Sequence, residues 1–160
     1  MFSSPISRSV VVFNTCFILG LTGALPVDLN SMENLQNQGP DGIVNYTRVD
    51  ATVACGGATS PEALADLKDL GFVSIINFRT VEEDGANINA SQLAAEQAGL
   101  KYIHIPFRQP TEEIVERFLK TISNPSNQPS YIHCASANRV GAMWFIKRVK
   151  QDGWDSARAM

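Results

Sequence analysis

Tyr131-Ile132-His133-Cys134-Ala135-Ser136-Ala137-Asn138-Arg139-Val140-Gly141 is the stretch whose reading decides the fold. A short β-prone run ends in a cysteine, a loop of small residues follows, and Arg139 opens an apolar helix over residues 140–149. A strand that turns tightly into a helix aims backbone N–H groups into the turn, where they favour negative charge. Such surroundings favour a thiolate over a thiol, which makes Cys134 a candidate nucleophile. Arg139 offers a planar fork that can hold two oxygens of a tetrahedral oxyanion. The plainer reading is a structural cysteine at a strand end, with Arg139 merely exposed. The complete order of strand, Cys, small loop, Arg and helix favours a site.

Outward from this stretch, strands alternate with helices. Residues 46–54 alternate and favour β, giving a first strand or strand pair that Cys55-Gly56-Gly57 breaks. Thr59-Ser60-Pro61-Glu62 starts a helix with Ala63, Leu64, Leu67 and Leu70 on one face, and Gly71 stops it. The run Phe72-Val73-Ser74-Ile75-Ile76-Asn77-Phe78 is nearly all apolar, as in a strand buried on both faces. A polar loop over residues 79–89 is then expected, followed by a helix over residues 91–98 stopped by Gly99, and a strand at Lys101-Tyr102-Ile103-His104-Ile105. Thr111-Glu112-Glu113 caps a helix whose apolar positions Ile114, Val115, Phe118, Leu119 and Ile122 fit a 3.6 period. Residues 123–130 link it to the central strand, and a further helix begins at Asp155 or Ser156 and reads as cut short at Met160. The pattern predicts an α/β fold with a largely parallel central sheet flanked by helices.

One domain is expected from 160 residues, and a net charge of −3 argues against non-specific nucleic-acid binding. Residues 1–25 carry Arg8, an apolar run and Thr22-Gly23-Ala24, the layout of a cleaved signal peptide. The expectation is therefore a secreted or periplasmic protein without stable membrane insertion after cleavage, an uncleaved anchor being the alternative. A polar leader over residues 26–45 precedes the domain at 46–160. Removing the signal peptide removes Cys16 and leaves Cys55 and Cys134, whose pairing would switch a Cys134 nucleophile off. Asn45-Tyr46-Thr47 and Asn89-Ala90-Ser91 match the N-glycosylation pattern.

In open α/β sheets ligands collect beyond the carboxyl ends of the strands, so the loops at 79–89, 106–110 and 134–139 should gather around Cys134. A thiolate attacking a tetrahedral ester needs an oxyanion cradle, here the loop residues Ala135, Ser136, Ala137, Asn138 and Arg139. It needs an orienting shell, where His133 is expected to hydrogen-bond the loop from behind. It also needs an acid for the leaving group. Ser136 is a candidate to assist departure of the cysteine. His104 is read as structural, and no ligand spacing supports a metal with Cys55. Neither a metal nor an organic cofactor is expected.

The segment from His133-Cys134 to Arg139, after a strand and before a helix, resembles the cysteine signature of dual-specificity and tyrosine phosphatases. Gly57-Ala58-Thr59-Ser60-Pro61, Ile76-Asn77-Phe78-Arg79-Thr80, Tyr102-Ile103-His104-Ile105-Pro106 and residues 133–142 resemble the phosphatase-like domain of bacterial beta-lactamase-hydrolase-like proteins. The resemblance runs from about Asn45 to the end of the chain. It implies a dual-specificity-phosphatase-like fold, a phosphorylated or other oxyanionic substrate, Cys134 as nucleophile and Arg139 as phosphate ligand. Two departures stand out. Four residues separate Cys134 from Arg139, where the usual phosphatase loop has five; the closer group shares the shorter loop but has glycine at the position of Ala137. If that position needs φ > 0, alanine is strained by roughly 1 kcal/mol or more. Dual-specificity phosphatases also keep an aspartate on the loop after the strand that precedes the nucleophile strand, whereas Pro106-Phe107-Arg108-Gln109-Pro110 has no acid. Glu112, Glu113, Glu82, Glu83 and Asp84 are the carboxylates in reach by sequence, each also readable as a cap or a solvated surface group. The short loop resembles that of rhodanese-type sulfurtransferases too, where the cysteine carries a persulfide and needs no acid. A non-catalytic anion-binding pseudophosphatase is the third reading.

Overall fold

The computed structural model describes residues 39–160, so the expected signal peptide and most of the leader lie outside the described residues. Strands β1 (Thr47–Arg48), β2 (Val53–Gly56), β3 (Ser74–Asn77), β4 (Lys101–His104) and β5 (Ser130–His133) form one sheet in the order β1-β2-β5-β3-β4. Only β1 runs antiparallel to its neighbour; the other pairings are parallel. The hairpin β1–β2 is the strand pair expected over residues 46–54. Asp50 makes its turn by accepting from the Thr52 and Val53 amides at 2.8 and 3.1 Å.

Helices α1 (Ala63–Asp69), α2 (Ile88–Gln97), α3 (Glu112–Ile122), α4 (Asn138–Lys150) and α5 (Ser156–Ala159) connect and follow the strands. Alternation along the buried strands sends successive side chains to opposite faces. Ile75, Tyr131 and Ala54 join Leu64, Leu67, Phe72, Ala95 and Leu100 beneath α1 and α2. Ile76, Ile132 and Val53 join Val115, Phe118, Ile122, Val140 and Met143 beneath α3 and α4. Strand β3 is buried along its whole length, as its apolar run predicts. The Thr111 hydroxyl caps α3 by accepting from the Ile114 amide at 3.3 Å. Gly71, at φ +86°, takes the left-handed turn that ends the first helix.

Three boundaries differ from expectation: β2 runs on through Cys55 and Gly56, which were expected to break it, α4 begins at Asn138 and not at 140, and α2 starts at Ile88, three residues before the predicted Ser91, with Asn87 in the left-handed region at φ 43°. Asn and Asp tolerate that region better than other residues with a side chain, so Asn87 can make the turn that a glycine usually makes. Among the described residues no helix is long and apolar enough to cross a membrane.

Candidate active site

Strand β5 lies between β2 and β3, so the loop that leaves it is flanked by the loops that follow both neighbours. Cys134 is 1% exposed and packs on the α3–α4 side of the sheet. Its amide donates to Gly56 O at 3.3 Å, and the helical ladder of α4 begins with Gly141 N–H to Ala137 O at 2.9 Å. Between them, the amides of residues 135–140 donate to no group among the described residues. Helix α4 also has no side-chain cap at its start. Backbone N–H groups rarely go unpaired, and a row of them at a helix start is an anion site.

The loop rests on a close backbone contact. Ala58 N–H donates to Ala135 O at 2.8 Å, and a Cβ at Gly57 would sit 2.9 Å from that same oxygen and 3.1 Å from Val44 O. Only glycine lets these backbones approach so closely. Asn45 donates to Ser136 O at 3.4 Å from the outside, so the first acceptor-pattern asparagine touches the loop. Ser136 and Asn138 are exposed, with Ala135 and Ala137 half-buried between them.

Ala137 sits at φ 70°, ψ −8°. The loop therefore does demand the left-handed conformation, and alanine there is strained by roughly 1–2 kcal/mol. Ala137→Gly relieves that strain but adds unfolded-state freedom of roughly 0.4–1 kcal/mol. The expected net result is a gain of about 0.5–1 kcal/mol in urea unfolding. A loss of stability would mean that the loop does not hold this conformation.

Arg139 is the second centre of the site. Its Nη1 donates to Phe78 O at 2.9 Å, Phe107 O at 2.8 Å and Glu83 Oε1 at 2.7 Å, while Nη2 donates to Glu83 Oε2 at 2.6 Å. The Phe78 and Phe107 rings pack with centroids 5.0 Å apart, which helps hold the two backbones that supply those carbonyls. Glu83 thus occupies the end-on edge of the guanidinium. The Nε–H and the second Nη2–H form the side edge and have no hydrogen-bond partner among the described residues. The Glu83 bond, with a smaller share from the Cys134 sulfur, raises the Arg139 pKa.

Glu83 is held in place by its own loop. The Thr80 amide donates to Glu83 Oε1 at 2.8 Å. Arg79, 5% exposed, donates to the carbonyls of Gly85 and Asp84 at 2.9 and 2.5 Å, and its Nε lies 3.7 Å from Glu83 Oε2. The Arg139 bond, against partial burial, pulls the Glu83 pKa down from 4.5 to about 2. A depressed carboxylate stabilises the fold fully above its unfolded value, and that contribution is lost as pH falls from about 4.5 through about 2. It also means that Glu83 is held as the carboxylate that braces Arg139. Fully exposed Glu82 is held below its usual range, first by its own backbone amide. Asp84, Glu112 and Glu113 are exposed, and none of the three lines the cavity beside Arg139. That cavity, about 420 Å³, is lined by Glu83, Arg108, Gln109 and Arg139. A larger one of about 730 Å³ includes Thr59, Ser60, Arg79 and Asn87 but no residue of the 134–139 loop. The smaller cavity is the one that Arg139 lines.

His133 corrects an expectation. Its ring is fully buried, stacked on Tyr131 at 5.7 Å, and neither nitrogen has a hydrogen-bond partner. Strand alternation turns His133 away from the loop opening, as expected, but the hydrogen bond expected from that side to the loop is not formed. Burial, and then the Arg79 charge, lower its pKa from 6.5 to about 3. The folded protein refuses a proton that the unfolded chain accepts, so stability is full above about 6.5 and falls progressively toward pH 3. Urea midpoints should drop between pH 7.5 and 5.0, and His133→Phe should flatten that drop. An equal drop in the variant would assign it elsewhere. His104 is structural, its Nε2 hydrogen-bonded to Arg79 O at 2.7 Å.

Cys55 and Cys134 are both free thiols. Burial, with Asp50 and Cys134 nearby, pushes the Cys55 thiol up to about 12. Among the described residues no cluster of His, Cys, Asp or Glu is arranged to hold a metal ion.

A cysteine loop at the carboxyl end of a central parallel strand, closed by an arginine at a helix start, defines a phosphatase-like protein of the dual-specificity type. Residues 27–156 match the family described as DSP-PTPase phosphatase fused to NAD+ Kinase, and the chain belongs to that family. Similar solved structures include a putative phosphatase (DUF442) from Shewanella putrefaciens CN-32, with 24% identity, TM-score 0.66 and coverage of 84% of this chain and 83% of that one. The core catalytic domain of the PP-IP phosphatase SIW14 from S. cerevisiae has 20% identity, TM-score 0.58 and coverage of 76% and 73%. P. aeruginosa TpbA has 20% identity, TM-score 0.59 and coverage of 72% and 70%. No curated protein matches the chain.

Proposed function

We propose that the chain is a cysteine-dependent hydrolase of phosphate monoesters acting through a cysteinyl-phosphate. The observation that carries this reading is the row of unpaired amides at residues 135–140, in the loop that runs into Arg139, whose Nε–H and second Nη2–H are unpaired as well. Those donors suit the equatorial oxygens of a phosphoryl group, whose charge they stabilise without rearranging. Cys134 attacks phosphorus as the thiolate, forming the S–P bond as the P–O bond to the leaving group breaks. Water then attacks the cysteinyl-phosphate, the S–P bond returns its electrons to sulfur, and phosphate departs with the water proton. Ala135, Ser136, Ala137, Asn138 and Arg139 form the substrate cradle, and Glu83 fixes the direction of Arg139. Secretion or periplasmic export belongs to the same proposal and rests on residues 1–25.

The missing loop carboxylate also suits sulfur transfer, so the test offers both substrates. Purified protein is given an aryl phosphate and, separately, thiosulfate with cyanide. Phosphate release with phosphorylated Cys134 found by mass analysis supports the proposal. Turnover of thiosulfate alone, with a persulfide on Cys134, replaces it.

A further inference from the structure

The loop over residues 79–87 lines two cavities with different residues. Glu83 lines the one beside Arg139, while Arg79, Gly85 and Asn87 line the larger one of about 730 Å³. That volume lies within the range of about 300–1,000 Å³ usual for small-molecule sites. No residue of the 134–139 loop lines it, so it is distinct from the anion cradle at Cys134.

The wall of this cavity is rich in unsatisfied donors. Asn87 and Ala90 bring the first turn of α2 to it, and the helical ladder begins only with Ser91 N–H to Asn87 O at 2.9 Å. The amides of Ile88, Asn89 and Ala90 therefore have no acceptor among the described residues, and no side chain caps the helix. A helix of 10 residues left open in this way attracts negative charge.

Arg79 points to the same ligand independently. It is 5% exposed, and its guanidinium stands in the cavity wall because Nη1 donates to the carbonyl of Gly85, itself a lining residue. Nη2 donates to Asp84 O, and the buried Nε has no hydrogen-bond partner, Glu83 Oε2 being 3.7 Å away. A buried guanidinium with open N–H groups is unfavourable until an acceptor meets it. Ser60 adds a hydroxyl whose oxygen accepts from the Ala63 amide at 3.3 Å, which leaves its own proton free to donate. Against these donors the lining has one carboxylate, that of exposed Glu62.

We propose that this cavity is a second binding site, taking the phosphate or carboxylate end of a small molecule between Arg79 and the start of α2. The open amides and the Ser60 hydroxyl donate to its oxygens, and the guanidinium neutralises its charge. A neutral or cationic group would leave these donors unmet.

Inorganic phosphate and, separately, malonate are titrated into isotope-labelled, purified chain at constant ionic strength, with sodium chloride as the reference. Backbone amide signals are followed by NMR. The expected result is a saturable shift at residues 88–90 with at least one of the two anions, and the tighter of them assigns the end group. Arg139→Ala, which dismantles the other anion site, leaves that shift in place. Asn87→Asp sets a carboxylate beside the helix start and raises the midpoint at residues 88–90 by about tenfold or more, with the response of residues 135–140 unchanged. Aspartate tolerates the left-handed backbone as asparagine does, and thermal melts confirm that the variant is folded. Arg79→Lys keeps the charge but loses the fork, and it weakens the same binding; should that variant fail to fold, Asn87→Asp decides alone. Shifts at residues 88–90 that only grow linearly, as in chloride, or a midpoint unchanged in Asn87→Asp, overturn the proposal. A response confined to residues 135–140 overturns it too, and leaves the reading of Cys134 standing.

Discussion

Cys134→Ser lowers phosphate release from an aryl phosphate by on the order of 10⁴-fold or more, because the reaction loses its nucleophile and not one of several helpers. Serine fits the space, so the fold should survive, although a hydroxyl in so buried a position costs about 1–3 kcal/mol. The anion cradle is built from backbone amides and Arg139, none of which the substitution removes. Inorganic phosphate should therefore still raise the melting temperature of Cys134→Ser, while phosphorylated protein no longer accumulates during turnover. Activity above about one hundredth of the original would place the nucleophile elsewhere. Loss of phosphate binding together with activity would mean that the variant loop had collapsed, a result that the melting curve also reports.

Much of this arrangement could be read from residue order alone, because the signals concerned are local. The β-prone run before Cys134, the small residues after it and the apolar helix beyond all act over a few residues, and the sheet follows from their alternation. The left-handed backbone at Ala137 was only a conditional expectation, raised by the glycine that the similar domain carries there, and the structure supplies it at φ 70°. Glu83 was not legible in its role. Three acidic residues stand together at positions 82–84, and which one turns inward depends on Arg79 folding the loop through the carbonyls of Asp84 and Gly85. The carbonyls of Phe78 and Phe107 carry no side-chain signature at all, and they meet Arg139 only once β3 and β4 are paired. Local chemistry names the candidate nucleophile and its candidate cradle; long-range pairing decides what holds the arginine. The direction of His133 was legible, because strand alternation alone sends the side chain next to Cys134 to the other face of the sheet.

Arg139→Ala should lower kcat and kcat/KM together, by roughly 10²–10³-fold, because its free edge meets charge that develops in the transition state. Arg139→Lys should recover little, since an ammonium cannot span Glu83 and a phosphoryl oxygen pair at once. Glu83→Gln keeps the shape of the bracing group but removes its charge, and its expected loss is smaller, roughly 10–10²-fold. The decisive comparison is the double variant. If Glu83 acts only by aiming Arg139, then Glu83→Gln in the Arg139→Ala background should change activity less than about threefold, far from additivity. Arg139→Ala should also release the Glu83 carboxyl from about 2 back toward its ordinary 4.5, which an NMR titration of that side chain can follow. The stability that Glu83 contributes would then be lost at a higher pH than in the parent protein, so the variant should unfold in milder acid. Independent, additive losses in the cycle would show instead that Glu83 meets the substrate or the water itself. Its role would then have to be rebuilt as that of a group in direct contact with the reaction.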